Sequence, residues 1–166
     1  MAYRNKIYVA FDGEHDIAYY RLMKSWKANP NDDFEFYDAH DINNANDSSN
    51  EESIKRQLRE RFNNSRMFIL LIGEHTKYKT KFVKWEIETA IRLNLPIVCV
   101  NLNNSRNEDS LMPASLEDHL AIFVAYKEKI IKHAINNWPD FDAKCRKEGK
   151  NSHYHYNDTV YKNLGL

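Results

Sequence analysis

The chain alternates short apolar runs with longer amphipathic ones. Residues 6–11, KIYVAF, make a β-branched and aromatic run of strand length that ends in the turn-like DGEHD. Residues 16–29 then carry apolar side chains at 18, 19, 22, 23 and 26, which is helical spacing. After a break at NPNDD, FEFYD (34–38) predicts a second strand, and AHDINNANDSSN (39–50) a polar loop longer than most connections. Residues 50–64 predict a helix, with Ser49 or Asn50 as its cap and acids in its first turn. RMFILLIG (66–73) is apolar almost throughout, as in a parallel strand covered on both faces. A helix over 83–93 leads into a buried strand, PIVCVNL (96–102). Residues 103–119 are polar and irregular, and AIFVAY (121–126) predicts a fifth strand. The segment 127–138 closes the pattern as an amphipathic helix, limited by Pro139.

Strands alternating with helices predict an α/β domain of three layers, α/β/α, around a parallel sheet. Five strands suggest the flavodoxin-like order 2-1-3-4-5. Ligands in that arrangement sit beyond the carboxyl ends of the strands, where the order switches between the first and third. Residues 1–138 are expected to form the domain, with 139–166 a C-terminal extension that packs on it or trails from it. The HYH of 153–155 reads as part of a solvated tail.

Composition narrows the function classes. The 166 residues suit one domain, and 24 basic residues balance 24 acidic ones, so no charge excess drives binding to nucleic acid or an anionic membrane. RQLRER (56–61) reads as the wet side of a helix. No apolar run approaches the roughly 20 residues of a membrane span, and the N-terminal apolar stretch is too short for a signal peptide. With two cysteines, in unlike surroundings, neither a disulfide framework nor a Cys-rich metal site is suggested, and a cytoplasmic location is expected. Four glycines, at 13, 73, 149 and 165, cannot supply a dinucleotide fingerprint or a P-loop. The third strand ends in Ile-Gly-Glu-His, without the aspartate of a phospho-receiver. No G-x-S-x-G or H-E-x-x-H occurs, and no metal or cofactor is expected.

What remains are acidic and aromatic residues at the carboxyl edge: Phe11 and Asp12 after the first strand, Asp38 and Asp41 after the second, and Phe82, Trp85 and Glu86 early in the third helix. Positions four apart lie on one line of a helix, so Phe82 and Glu86 line up. Val83, Ile87, Ala90 and Ile91 form an adjacent stripe for the sheet. Glu86 should flank that stripe and face the mouth of the cleft. A carboxylate there has an ordinary reading too, a favourable interaction with the helix dipole of about 0.3–1 kcal/mol. Phe82 and Trp85 have one as packing residues.

The order of these motifs resembles a TIR domain, and more closely the bacterial TIR-like proteins of Thoeris anti-phage defence, the ThsB type. The likeness covers roughly residues 6–127. KIYVAFDGEHD is similar to the first-strand box, FYDAHDINNANDSSN takes the place of the BB loop, and EESIKRQLRERFNNSRMFILLIG resembles the helix and strand that follow. TKFVKWE is similar to the motif with a hydroxyl residue, an aromatic and a glutamate four positions after the aromatic. The resemblance implies an enzyme that cleaves NAD+ at the nicotinamide–ribose bond, with NAD+ as substrate and no cofactor. It implies Glu86 as the catalytic residue, Phe82 as the aromatic of the pocket, and Phe11, Asp12, Asp38 and Trp85 as further substrate-binding positions. The product would be a signal, a cyclised ADP-ribose isomer or in some related systems a histidine conjugate, that activates a separate ThsA-type effector after a phage-derived trigger. Self-association would run through the BB loop, about residues 39–50.

The chain departs from the familiar pattern in having Phe82 where Trp is frequent, and Asp12-Gly13 where some relatives carry Arg. With no basic residue in the BB loop, the pyrophosphate would have to be held by backbone N–H groups, a partner subunit or distant lysines. Two alternatives stay open: a nucleoside deoxyribosyltransferase-like enzyme, which also uses a helix-borne glutamate, and a non-catalytic TIR module acting by self-association.

Overall fold

The computed structural model describes residues 6–26, 35–38 and 51–166. In chain order these form β1 (Lys6–Ala10), α1 (Ile17–Ser25), β2 (Glu35–Asp38), α2 (Glu51–Asn63), β3 (Ser65–Ile72), α3 (Phe82–Arg92), β4 (Ile97–Asn101), β5 (Ala121–Ala125), α4 (Glu128–Lys147), β6 (His153–His155) and α5 (Asp158–Asn163). Single 3₁₀ turns lie at Thr76–Tyr78 and Ala114–Leu116.

All strand pairs are parallel and the order is β2-β1-β3-β4-β5-β6. The expected 2-1-3-4-5 sheet is present, with a sixth strand added beyond β5. Alternation along each strand builds two cores. Ile7 and Val9 of β1 point with Met67, Ile69 and Leu71 of β3 towards Tyr20 and Met23 of α1 and the buried stripe of α4. Tyr8 and Ala10 point the other way, with Phe68, Leu70 and Ile72, towards Ile54, Leu58 and Phe62 of α2 and Val83, Ile87 and Ala90 of α3. β3 is apolar on both faces because both are covered. This is the three-layer, flavodoxin-like arrangement.

The C-terminal quarter corrects two expectations. Pro139 does not end the closing helix; α4 runs through it to Lys147. Its apolar stripe, Ile130, Ile131, Ala134, Ile135 and Trp138, continues through Asp142 and Cys145, all buried. Burial outweighs the one backbone hydrogen bond that proline removes. Asp142 tolerates the position because Arg146 Nε donates to its Oδ2 at 2.9 Å, while Arg146 Nη1 reaches Asn94 Oδ1 at 3.1 Å. Nor is HYH a solvated tail. It is β6, with Tyr154 packed on Trp138 and Phe141 and His153 Nε2 bonded to the Leu116 carbonyl at 2.8 Å. α5 then buries Tyr161, whose hydroxyl accepts from the Ala125 N–H at 3.1 Å.

Candidate functional site

A cavity of about 480 Å³ opens at the carboxyl end of β1, which the sheet order places beside β3 at the switch point. One wall is the end of β1 and its turn, from Val9 through Phe11, Asp12 and Gly13 to Glu14. The other is the segment leading into α3, Tyr78 to Val83, with Glu86 one turn further on.

The β1 turn is held by its own polar groups. The Asp12 carbonyl accepts from Asp16 N at 2.9 Å, and its carboxylate accepts from Glu14 N at 3.0 Å and pairs with His15 Nδ1 at 2.6 Å. Asp12 is 2% exposed, and burial by itself would raise its pKa. The His15 contact, the Glu14 N–H and the Lys79 ammonium outweigh that, and the carboxyl is held below its usual range. Asp16 packs so tightly on the end of β3 that a Cβ at Gly73 would lie 2.4 Å from its Oδ2. Any larger residue there would have to displace the Asp16 carboxylate, so the close approach holds the turn against β3.

Glu86 is 2% exposed and lies within the buried stripe of α3, between Val83, Ile87 and Ala90, instead of beside it. The i, i+3, i+4, i+7 spacing puts 83, 86, 87 and 90 on one face. Its Oε2 accepts the Tyr8 hydroxyl at 2.5 Å. Burial pushes the carboxyl up to about 8, against the lowering effect of that hydrogen bond. A carboxyl whose proton is bound more tightly in the folded chain contributes stability in full below its unfolded pKa of about 4.5, and loses it as pH rises through about 8. Glu86→Gln cannot ionise and keeps the same shape. Its stability, followed by melting at each pH, should therefore gain on that of the parent between about pH 5 and about pH 8, by about 1.4 kcal/mol per pH unit near the middle of the range. Parallel melting curves across that range would mean that Glu86 is not held protonated.

The structure brings Phe11, Asp12, Phe82 and Glu86 to one cavity. Phe82 opens α3, one turn before Glu86. Phe11 borders the cavity with its ring stacked on Tyr20, 4.9 Å away. Trp85 does not line it. Its ring sits edge-on to Phe62 at 6.0 Å, with Lys55 and Arg59 5.7 and 5.9 Å away on α2. Asp38 ends β2 level with Val9, but its side chain lies outside the described residues, as do Asp41 and the whole 39–50 loop.

Three residues at the site escaped the sequence reading. Tyr8 is one; the alternation of KIYVAF puts it on the α3 side of the sheet, and that was its signal. Lys79 and Lys81 are the others, and both border the cavity. Lys79 Nζ lies 2.9 Å from Glu14 and 3.6 Å from Asp12, and Lys81 Nζ lies 5.2 Å from the centre of the Phe82 ring. The first turn of α3 adds no acid and no side-chain cap. Among the described residues, Asp12, Glu14 and His15 are the group whose donor atoms converge closely enough for a metal ion, within 4.8 Å. The Lys79 ammonium lies against both carboxylates of that group and offsets part of their charge. Among the described residues no helix is long and apolar enough to cross a membrane.

The site therefore joins a buried carboxyl of raised pKa, an aromatic ring at its side and two cations at the rim. Residues 8–107 match the family model described as "Thoeris protein ThsB, TIR-like domain".

Proposed function

Because the chain belongs to the Thoeris ThsB family of TIR-like domains, we propose that it cleaves the nicotinamide–ribose bond of NAD+ and makes an ADP-ribose-derived, cyclic signal for a separate ThsA-type effector. The observation that supports this most is the pairing of Glu86 with Phe82 in one cavity at the switch point.

In the reaction the N-glycosidic electron pair leaves with nicotinamide and neutralises the pyridinium charge, so the leaving group needs no proton. Positive charge passes to the ribosyl carbon and ring oxygen, as in glycoside hydrolysis. An ionised Glu86 in a largely dry cavity stabilises that charge and accepts from the ribose hydroxyls. The substrate's own positive ring favours this ionised form, offsetting the burial that disfavours it. Phe82 offers a flat apolar face to nicotinamide or adenine. Capture of the ribosyl cation by water gives ADP-ribose and a proton. Capture by a nucleophile of the same nucleotide closes a ring, again with loss of a proton. Self-association through residues 39–50 and a phage-derived trigger complete the reading, with the reaction in the cytoplasm.

Lys79 and Lys81 are the groups for the pyrophosphate, in place of the missing arginine after β1. Replacing both with Gln is expected to raise KM for NAD+ about tenfold or more and to leave kcat nearly unchanged. An unchanged KM would place the phosphates elsewhere.

The reading as a whole is tested by incubating the chain with NAD+, and separately with deoxynucleosides, and following products by mass spectrometry. Free protein and protein forced to oligomerise should both be used. Nicotinamide appearing with an ADP-ribose product supports the proposal. Base exchange on deoxynucleosides, or no turnover of NAD+ in the assembled state, would sink it.

A further inference from the structure

The Glu86 carboxyl is gripped on one side only. Tyr8 donates to Oε2, and among the described residues Oε1 has no hydrogen-bond partner, while Glu86 borders the cavity. Tyr8 does not itself line the cavity. It sits behind it, fully buried, with its ring stacked on Phe62 at 3.8 Å and flanked by Phe68 at 5.9 Å. Its backbone is central in β1, paired with Tyr37 of β2 on one side and Phe68 of β3 on the other. The phenol is thus closely packed on its ring and anchored through its strand. A glutamate with three side-chain torsions is not held in this way unless something fixes its end, and reactive groups need placing to well under 1 Å.

We infer that Tyr8 is the positioning residue of this site: its hydroxyl holds Oε2 and fixes the carboxyl plane, leaving Oε1 as the oxygen that faces the reacting sugar. The identity of the sugar rests on the NAD+ reading; the link between Tyr8 and Glu86 does not.

The hydroxyl also sets the charge on Glu86. Burial and the adjacent carboxyl hold the phenol's own pKa well above its usual value, so it stays a donor, and its hydrogen bond opposes the burial that protonates Glu86. Among the described residues, the other charged groups around the pair are Asp12, Glu14, Lys79 and Lys81 on the cavity walls, with His15 behind Asp12. From α2, Arg61 acts on Tyr8, and Lys55 and Arg59 lie over Trp85. Tyr8→Phe leaves all of these in place and keeps both aromatic stacks.

The test is Tyr8→Phe in the full chain, with two readouts. The first is the titration of the Glu86 carboxyl carbon by NMR in protein labelled at glutamate, its signal identified by its loss in Glu86→Gln. The second is nicotinamide release from NAD+ across pH. The Glu86 midpoint should rise by about a unit or more, which cuts the ionised fraction at pH 7 about tenfold. The acid limb of kcat should move up with it, while KM stays within about twofold. A midpoint and a limb that do not move would overturn the assignment. Should neither protein release nicotinamide, the NAD+ reading falls, and the carboxyl titration alone still decides for or against Tyr8. If Tyr8→Phe does not fold, 3-fluorotyrosine placed at position 8, a stronger donor, should lower the Glu86 midpoint instead. An unchanged midpoint there would also overturn it.

Discussion

Glu86→Gln is expected to fold as the parent does and to lose nicotinamide release by a factor on the order of 10³. The amide has the shape of the carboxyl, and its oxygen can accept the Tyr8 hydroxyl that now bonds Oε2. Packing against Val83, Ile87 and Ala90 is unaltered, and the buried position no longer has to accommodate a charge. What disappears is the fixed negative charge that faces the ribosyl cation as it develops. An interaction made mainly in the transition state appears as a fall in kcat with little change in KM. The measurement is single-turnover release of nicotinamide, alongside a melting curve to establish folding. Turnover within a few-fold of the parent would remove Glu86 from the chemistry and leave it a buried structural acid.

The second large effect lies on the opposite face of the sheet. Trp138→Ala should cost about 3–5 kcal/mol of stability, which for a chain of this size lowers the melting temperature by about 10 °C. Trp138 is 1% exposed in α4, with Phe141 5.7 Å and Tyr154 5.8 Å from its ring. It is thus the side chain against which β6 packs. Among the described residues the buried indole N–H has no hydrogen-bond partner, so its removal relieves a small penalty and pulls the loss towards the lower end of that range. Hydrogen exchange should report faster opening at 153–155 than at β1 or β3. The Glu86 cavity, on the far side of the sheet, should keep the kcat of whatever turnover the NAD+ assay finds at temperatures well below the melt. A loss under about 1 kcal/mol would show that β6 is held by its neighbours in the sheet instead.

The parts of the fold that could be read from residue order are those where burial writes itself into periodicity. RMFILLI is apolar on both faces and central, and the stripes of α2 and α3 repeat every three or four residues. The strand order followed, and with it the convergence of Phe82 and Glu86 on one cavity. The failures share a cause: a polar or breaking residue that makes sense only beside the partner the fold gives it. Asp142 hides the continuation of α4 past Pro139 because Arg146 makes it tolerable. The three residues of β6 are polar in their alternation and acquire meaning only from Trp138, Phe141 and Leu116. Tyr8 looks like any strand tyrosine until Glu86, 78 positions away, is placed at its hydroxyl. Lys79 and Lys81 lie in a run of alternating lysines, TKYKTK, which by itself marks only a wet segment. Trp85, the most conspicuous aromatic near the glutamate, serves α2 because the helix turns it about 100° from Glu86.

The burial of Glu86 against Tyr8 has an evolutionary side. At neutral pH a neutral residue in that place would make a more stable protein, so stability and chemistry select in opposite directions at one codon. A lineage released from the need to cleave a nucleotide would drift downhill towards Gln or an apolar residue. It would keep the scaffold and its surfaces for assembly alone. By the same reasoning, turnover under the proposed reaction is what would hold a glutamate here against that gradient.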